Sequence, residues 1–461
     1  MPSRQDQLHS YQFMVARVVA ALVLRETDPA RSPFRRSATA ALAGLLVAGI
    51  GLGAAALYGG FTGAGADHYR DTSAVVVERE TGARYVYRDG RLHPVLNYAS
   101  ALLIIGGGSA PRTVLVSQRS IRDAPRGAPL GLVGAPDSLP PAGRLAGGAW
   151  TVCSTPAGPD GVAPTSTVRL AGSPPGRALT DEGVLARHPD GSLHLLWHGR
   201  RHLIRDPGLV LPALAWTSRR AVPVAPALLA ALPPGADLRA VPLAGVGRPS
   251  RMPGATIGEV FVVKTQGGAR QYAVAAAAGL AGITQLQADL LLTAGGQPAP
   301  TELPQSRFAA APKLPDLAPE GDTAPPAVAP GLVDAAGSAL CGRIEPGTAA
   351  TPELRLGAAA PDASGLASGS GTPGEIRADR IVVPAGGGAL VRAMSAPGAP
   401  AGATCVVTDL GRRYAVPDPE VQAMLGYRDV RPVELPAAVV ALLPAGPALD
   451  PRLARSAPPG P

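Results

Sequence analysis

SATAALAGLLVAGIGLGAAALYGGFTGAGA, Ser37–Ala66, contains no charged residue, and its centre, Ala38 to Tyr58, is Ala, Gly, Leu and Val almost throughout. At 1.5 Å rise per residue, about 20 apolar residues cross a hydrocarbon core of roughly 30 Å. Arg31, Arg35 and Arg36 stand on the N-terminal flank and no basic cluster follows closely. That asymmetry keeps the N-terminal side in the cytoplasm. The stretch predicts a cytoplasmic head over 1–36, one transmembrane helix over 37–60, and everything later outside the inner membrane. A signal peptide would have a shorter apolar core nearer the start. Gly49 and Gly53 have the small-residue spacing that lets two spans approach closely.

Outward from that segment, composition limits the rest. Gly contributes 57 and Pro 51 of the 461 residues, while aromatics are only 4%. Large side chains are too few for one thick core, so several small β modules suit the chain better than one large α/β enzyme. The net charge of +8 is carried by scattered Arg, with Lys only at Lys264 and Lys313. This suits an anionic lipid surface or a wall polymer, and an outward-facing region argues against nucleic acid. Cys153, Cys341 and Cys405 all follow the span. An oxidising compartment permits a disulfide, an odd count leaves one thiol over, and none has metal-ligand spacing.

In the head, Leu8, Tyr11, Val15, Val18, Val19 and Leu22 recur at helical steps and predict a helix stopped by Pro29 and Pro33. So apolar a face must lie on the inner membrane surface or grip a partner. The runs Gln5–Phe13, Ala16–Leu22, Arg25–Pro29 and Ser32–Arg36, then Thr81–Tyr87, Leu92–Ala101, Gly134–Pro140, Ala423–Tyr427 and Ala445–Pro451, together resemble the EccB family along nearly the whole chain. EccB is a membrane component of the actinobacterial type VII (ESX) secretion apparatus. The resemblance implies the EccC motor ATPase, EccD, EccE and further copies of the chain itself as partners.

Independently, the outer region repeats. Tyr85–Val95, His194–Ile204 and Cys405–Val416 each read strand, Gly turn, then a ring three residues after the Gly: Gly90 and His93, Gly199 and His202, Gly411 and Tyr414. Phe261–Val274 fits with one extra turn residue, at Gly268 and Tyr272. Gly at the tip supplies the positive φ of a tight hairpin, and an apolar, partly helical stretch follows each. The unit predicted is a hairpin plus helix, four times over: repeats at 67–110, 183–218, 255–295 and 397–450.

Between them lies a second duplication. Ala149–Cys153 is followed by Thr167–Leu170, and Leu340–Ile344 by Glu353–Leu356; Ile381–Val383 and Ala389–Arg392 add strand candidates. The expectation is an elongated, mainly β (α+β) extracytoplasmic region. Its central core, from halves at 111–182 and 336–396, has pseudo-two-fold symmetry, with a Cys153–Cys341 disulfide at the join. A core disulfide is also what the EccB resemblance implies. Cys405 is expected to be an unpaired, half-buried strand residue. Residues 296–335 and 358–374 read as loose Pro/Ala/Gly-rich linkers and 451–461 as a disordered tail. The first and fourth repeats are placed at one end, the second and third at the other.

Chemistry is largely missing. The EccB family carries an ATPase label, but a Walker A loop needs Gly-Lys-Ser/Thr, and Lys264 follows Val263 while Lys313 follows Pro312. Gly106-Gly107-Gly108 reads as a flexible exit from the first repeat. No Ser has Gly at both second neighbours, so the G-x-S-x-G elbow is missing. His194, His198 and His202 stand four apart, which on a helix would align zinc ligands. Gly199 instead places a turn inside the triplet. No catalytic residue, metal or cofactor is assigned. The function expected is a structural single-pass subunit bracing a type VII secretion machine; the alternatives are a peptidoglycan-binding module or a weak ATPase.

Overall fold

The computed structural model of the chain describes residues 3–24, 33–63, 68–107, 112–156, 163–172, 176–347, 351–357, 365–369, 374–396, 399 and 402–458. It divides into two units, Met1–Asp71 with Leu115–Asp123, and Thr72–Val114 with Ala124–Pro461.

The first unit contains helices α1 (Arg4–Leu24) and α2 (Pro33–Gly63). Ser3 and Asp6 cap α1 reciprocally: the Ser3 hydroxyl accepts from the Asp6 amide at 3.3 Å, and the Asp6 carboxylate accepts from the Ser3 amide at 3.2 Å. α1 ends at Leu24, and Pro33 opens α2 rather than closing α1. The reason is local, since proline's fixed φ suits a first helical turn, where no N–H is needed. The expected boundary between head and span, at 36/37, therefore falls inside α2. Among the described residues no helix is long and apolar enough to cross a membrane.

The described strands, all in the second unit except residues 115–116, form four four-stranded sheets and one of seven strands. Each small sheet is a three-stranded antiparallel meander with a fourth strand added beside the first. The meanders are Ala74–Glu78, Arg84–Arg88 and Arg91–Pro94; Val184–Arg187, Leu193–Trp197 and Arg200–Leu203; Val260–Lys264, Arg270–Ala276 and Gly279–Ile283; and Ala389–Met394, Ala403–Val407 and Arg413–Val416. The fourth strands are Arg112–Val116, Val222–Pro223, Thr301–Glu302 and Val433–Pro436, the last three parallel to the first strand of their sheet. A helix separates meander from fourth strand each time: Tyr98–Ile105, Pro207–Ala213, Gln285–Gly295 and Pro419–Met424. The hairpin plus helix read from the sequence is thus only the middle of a longer unit.

The seven-stranded sheet runs Leu366–Ala367, Arg380–Val382, Thr165–Arg169, Trp150–Thr155, Ala339–Ile344, Glu353–Gly357, Arg177–Ala178. At its centre Trp150–Thr155 and Ala339–Ile344 pair antiparallel, with Cys153 opposite Cys341. Arg177–Ala178 follows Thr165–Arg169 in the chain but pairs with Glu353–Gly357 of the other half. Reciprocally, Arg380–Val382 follows Glu353–Gly357 and pairs with Thr165–Arg169. Each half lends the other a strand. The bridges Leu145 to Gly388 and Gly183 to Leu332 repeat the same relation. Both outer strands are two residues long, which leaves little open edge.

Side-chain alternation gives this sheet two unlike faces. Trp150, Val152, Val168 and Ile344 form the apolar face, packed with Ala227 and Ala231 of helix Pro226–Ala231 and with Val439 and Val440 of helix Ala437–Ala441. Thr151, Cys153, Thr167, Arg343 and Arg355 share the other face. One core cluster joins the first and fourth repeats through Leu102, Leu103, Leu390, Tyr414 and Tyr427. Another joins the second and third through Leu195, Leu238, Leu286 and Leu290.

Several segment assignments change. Residues 296–335 are no loose linker: they hold strand Thr301–Glu302, helix Gln305–Ala310 and buried Leu303. Strand Ala389–Met394, allotted above to the core, opens the fourth small sheet. The supposed tail begins with helix Pro451–Ala454, capped by Asp450, and Ala454 is fully buried in the cluster of the first and fourth repeats. Of 358–374, strand Leu366–Ala367 is described; residues 358–364 and 370–373 lie outside the described residues. Cys405 is buried, not half-buried, and its thiol is free.

Candidate assembly surfaces and stabilising sites

Each small sheet is finished by a segment that the sequence reading did not assign to it, although Ala445–Pro451, which overlaps the last, carries part of the family resemblance. Pro125–Leu130, Pro233–Leu238, Pro312–Leu317 and Pro444–Leu449 share the pattern Pro-x-Gly/Leu-Ala/Pro-x-Leu. Each runs as a strap along the third strand of its meander, about thirty residues earlier in the chain. The amides of Leu92, Arg201, Leu280 and Arg413 donate to the first Pro carbonyl of their straps. Those same residues accept from Gly127, Gly235, Leu314 and Gly446, and the strap's last Leu amide donates to Pro94, Leu203, Gly282 or Ala415, all at 2.8–3.1 Å.

The repeat ring sits on the strap glycine. A Cβ on Gly127 would lie 2.1 Å from His93, on Gly235 2.2 Å from His202, and on Gly446 2.1 Å from Tyr414. Only glycine permits such an approach. In the third sheet the pair is exchanged: by register Ala281 takes the ring's place and Leu314 the glycine's. Tyr272 is therefore not the ring of the third repeat. It lies in the second strand, and the Gly268 turn joins strands one and two, whereas the Gly90, Gly199 and Gly411 turns join strands two and three. The four turn glycines have φ of 74°, 71°, 81° and 69° in chain order. Gly199 is further constrained, because a Cβ there would lie 2.0 Å from the Pro352 carbonyl oxygen.

The Cys153–Cys341 disulfide has Cα atoms 4.0 Å apart, as in a non-hydrogen-bonded cross-strand pair, and closes a separation of 188 residues. Beside it Glu353 receives Arg355 at 3.0 Å and Arg343 at 3.6 Å, and Arg343 also pairs with Glu345. These groups are partly exposed, so the ion pairs stabilise modestly. Burial pushes the Cys405 thiol pKa up, away from a reactive thiolate. Burial likewise raises the Tyr427 phenol, which donates to Pro140 O at 2.7 Å.

On α1, Leu8, Tyr11, Val15, Val18 and Leu22 are exposed, with Met14 beside their stripe, and Phe13, also exposed, projects from the opposite side at 100° per residue. The apolar surface is therefore not confined to one face. Arg31 lies outside the described residues, and Arg35 and Arg36 belong to the first turn of α2.

The histidine triplet straddles a turn. His194 lies in strand Leu193–Trp197 and His202 in Arg200–Leu203, while His198, at φ 45°, stands between them. Each has its own partner: Ser192 Oγ at 3.2 Å, Ala236 O at 2.8 Å and Asp181 at 3.3 Å for His194, His202 and His198. Lys264 pairs with Glu302, and Lys313 lies over the Phe308 ring at 3.5 Å. Gly106 and Gly107 follow the C-terminus of helix Tyr98–Ile105, where the helix dipole is negative; phosphates favour the other end.

The family model described as type VII secretion system ESX-1, transport TM domain B, matches residues 1–458. Among curated proteins, the ESX-2 secretion system ATPase EccB2 of Mycobacterium tuberculosis is 31% identical over 239 residues, covering 48% of this chain and 46% of that protein. The chain matches between 37% and 59% of the length of the ESX-2, ESX-3 and ESX-5 relatives from that organism. Among solved structures, a chain of the intact ESX-5 inner membrane complex superposes with a TM-score of 0.67 at 27% identity, covering 100% of this chain and 96% of that one. The EccB3 dimer from the ESX-3 core complex gives 0.65 at 29% identity, covering 83% and 100%. A family match over nearly the full length, on a fold shared with chains of two such complexes, places this chain in the EccB family of type VII secretion membrane proteins.

Proposed function

We propose that this chain is a structural subunit of a type VII secretion complex, crossing the inner membrane once near α2 and bracing the assembly through its second unit outside. The observation that carries this reading is the fold shared end to end with a chain of the ESX-5 inner membrane complex. The architecture supports it: interlocked halves, a disulfide and strapped repeats suit a stiff spacer. In this reading the α1 residues Leu8, Tyr11, Val15, Val18 and Leu22 grip neighbouring subunits, of the EccC, EccD and EccE kind, or the inner lipid surface. Arg31, Arg35 and Arg36 hold the N-terminal end inside, and further copies of the chain pair through the second unit. The test is export after deletion of the gene. Loss of secretion, restored by the intact chain and not by one carrying Tyr11→Asp with Val18→Asp, supports the reading; unimpaired export in the deletion strain overturns it.

A second reading rests on the word ATPase in the relatives' names. ATP turnover by purified chain that survives removal of contaminating ATPases would establish it, and turnover that vanishes on purification would remove it.

A further inference from the structure

The ring-and-strap contact differs among the four repeats in one chemical respect. In the fourth the ring is Tyr414 and in the third the place is taken by Ala281; neither titrates near neutral pH. In the first and second it is histidine. His93 Nδ1 lies 2.9 Å from Ala128 O and His202 Nδ1 2.8 Å from Ala236 O, so each ring donates from Nδ1 to its strap. His93 is partly exposed, and water can serve its Nε2. His202 is fully buried, and its Nε2 is buried with no hydrogen-bond partner.

We propose that His202 is an acid-sensitive latch: protonation at Nε2 releases the 233–238 strap and loosens the join between the second and third repeats. The neutral ring, with its proton on Nδ1, satisfies the Ala236 carbonyl. A second proton on Nε2 would place a charged donor in a pocket that offers it no acceptor. The charged and titratable groups that face the ring are Arg200 on its own strand, His198 in the preceding turn and Asp237 on the strap, and Trp197 lies 6.3 Å away. Asp237 is already engaged by Arg205 at 2.6 Å. Burial, the largest cause, holds the ring's pKa below that of an ordinary histidine. The open strap therefore binds the proton more tightly than the closed one. The closed state is fully favoured above the open-state pKa and loses ground as pH falls through and below about 6.5. The strap matters because Leu238, at its end, sits in the cluster with Leu286 and Leu290 of the third repeat's helix.

Hydrogen exchange of the full chain in mild detergent, corrected for intrinsic rates, tests the latch between pH 7.5 and 5.0. At pH 5.0 an ordinary histidine is protonated by about thirty to one. Amide protection at 235 and 238 is thus expected to fall by up to about thirtyfold, with the 446 and 449 amides of the fourth strap as the unresponsive internal control. His202→Gln, which keeps a donor without titrating, and His202→Tyr, which copies the fourth repeat, are expected to flatten the profile. Equal responses at the two straps, no response at either, or an undiminished fall in both variants would overturn the proposal. If neither variant folds, the comparison of straps in the unmodified chain decides alone.

Discussion

Replacing Cys153 and Cys341 together by Ala removes a covalent tie across 188 residues of sequence. In the chain-entropy model a loop of that length is worth about 5 kcal/mol, because the crosslink restricts the unfolded chain. The tie lies between in-register strands at the centre of a sheet whose halves also exchange outer strands. The folded state therefore needs no rearrangement to do without it. The expected outcome is an unchanged far-ultraviolet spectrum at 25 °C together with a large drop in the guanidinium midpoint of the second unit. The same drop should follow addition of reductant to the unmodified chain and be absent when reductant is added to the double variant. An unchanged midpoint in the variant would refute the argument that this bond constrains the unfolded ensemble. Collapse of the spectrum at 25 °C would refute the claim that register and strand exchange hold the halves by themselves.

Other outcomes follow from single contacts. Gly235→Leu should cost about 1–3 kcal/mol by overpacking against His202, and His202→Ala in the same chain should recover much of it, reproducing the Ala281 and Leu314 pair of the third repeat; denaturation of the two singles and the double measures the coupling. Gly199→Ala combines a left-handed backbone with a clash on Pro352 O and should lower the melting temperature by an amount equivalent to at least about 1–3 kcal/mol. Tyr427→Phe leaves the Pro140 carbonyl without its donor and should cost about 1–3 kcal/mol, read as a lower denaturation midpoint.

The mainly β nature of the outer region and the Cys153–Cys341 pairing were legible because each has a strong local signal: β-branched strands with Gly turns, and two cysteines in matching strand contexts. The straps were not. Their pattern is six residues long, rich in Pro, and lies about thirty residues beyond the strand it covers, so nothing local ties it to that strand; only the third, Pro312–Leu317, falls in a segment read as linker. The exchange of Gly for Leu at Leu314 hides the third copy further. Gly268 reads as the counterpart of Gly90, Gly199 and Gly411 because a three-stranded meander contains two similar turns, and Gly268 marks the first of them. The strand exchange rests on Arg177–Ala178 and Arg380–Val382, too short to show any alternation. On α1, the 3–4 residue spacing of Leu8 to Leu22 is visible, but Phe13 adds an exposed ring on the opposite side of the helix.

The most direct test of the structural-subunit account is the native mass of the particle obtained when the tagged chain is extracted from its own membranes in mild detergent. The account predicts a particle holding more than one copy of the chain together with other membrane components of the secretion system. A stable, lone monomer would contradict it.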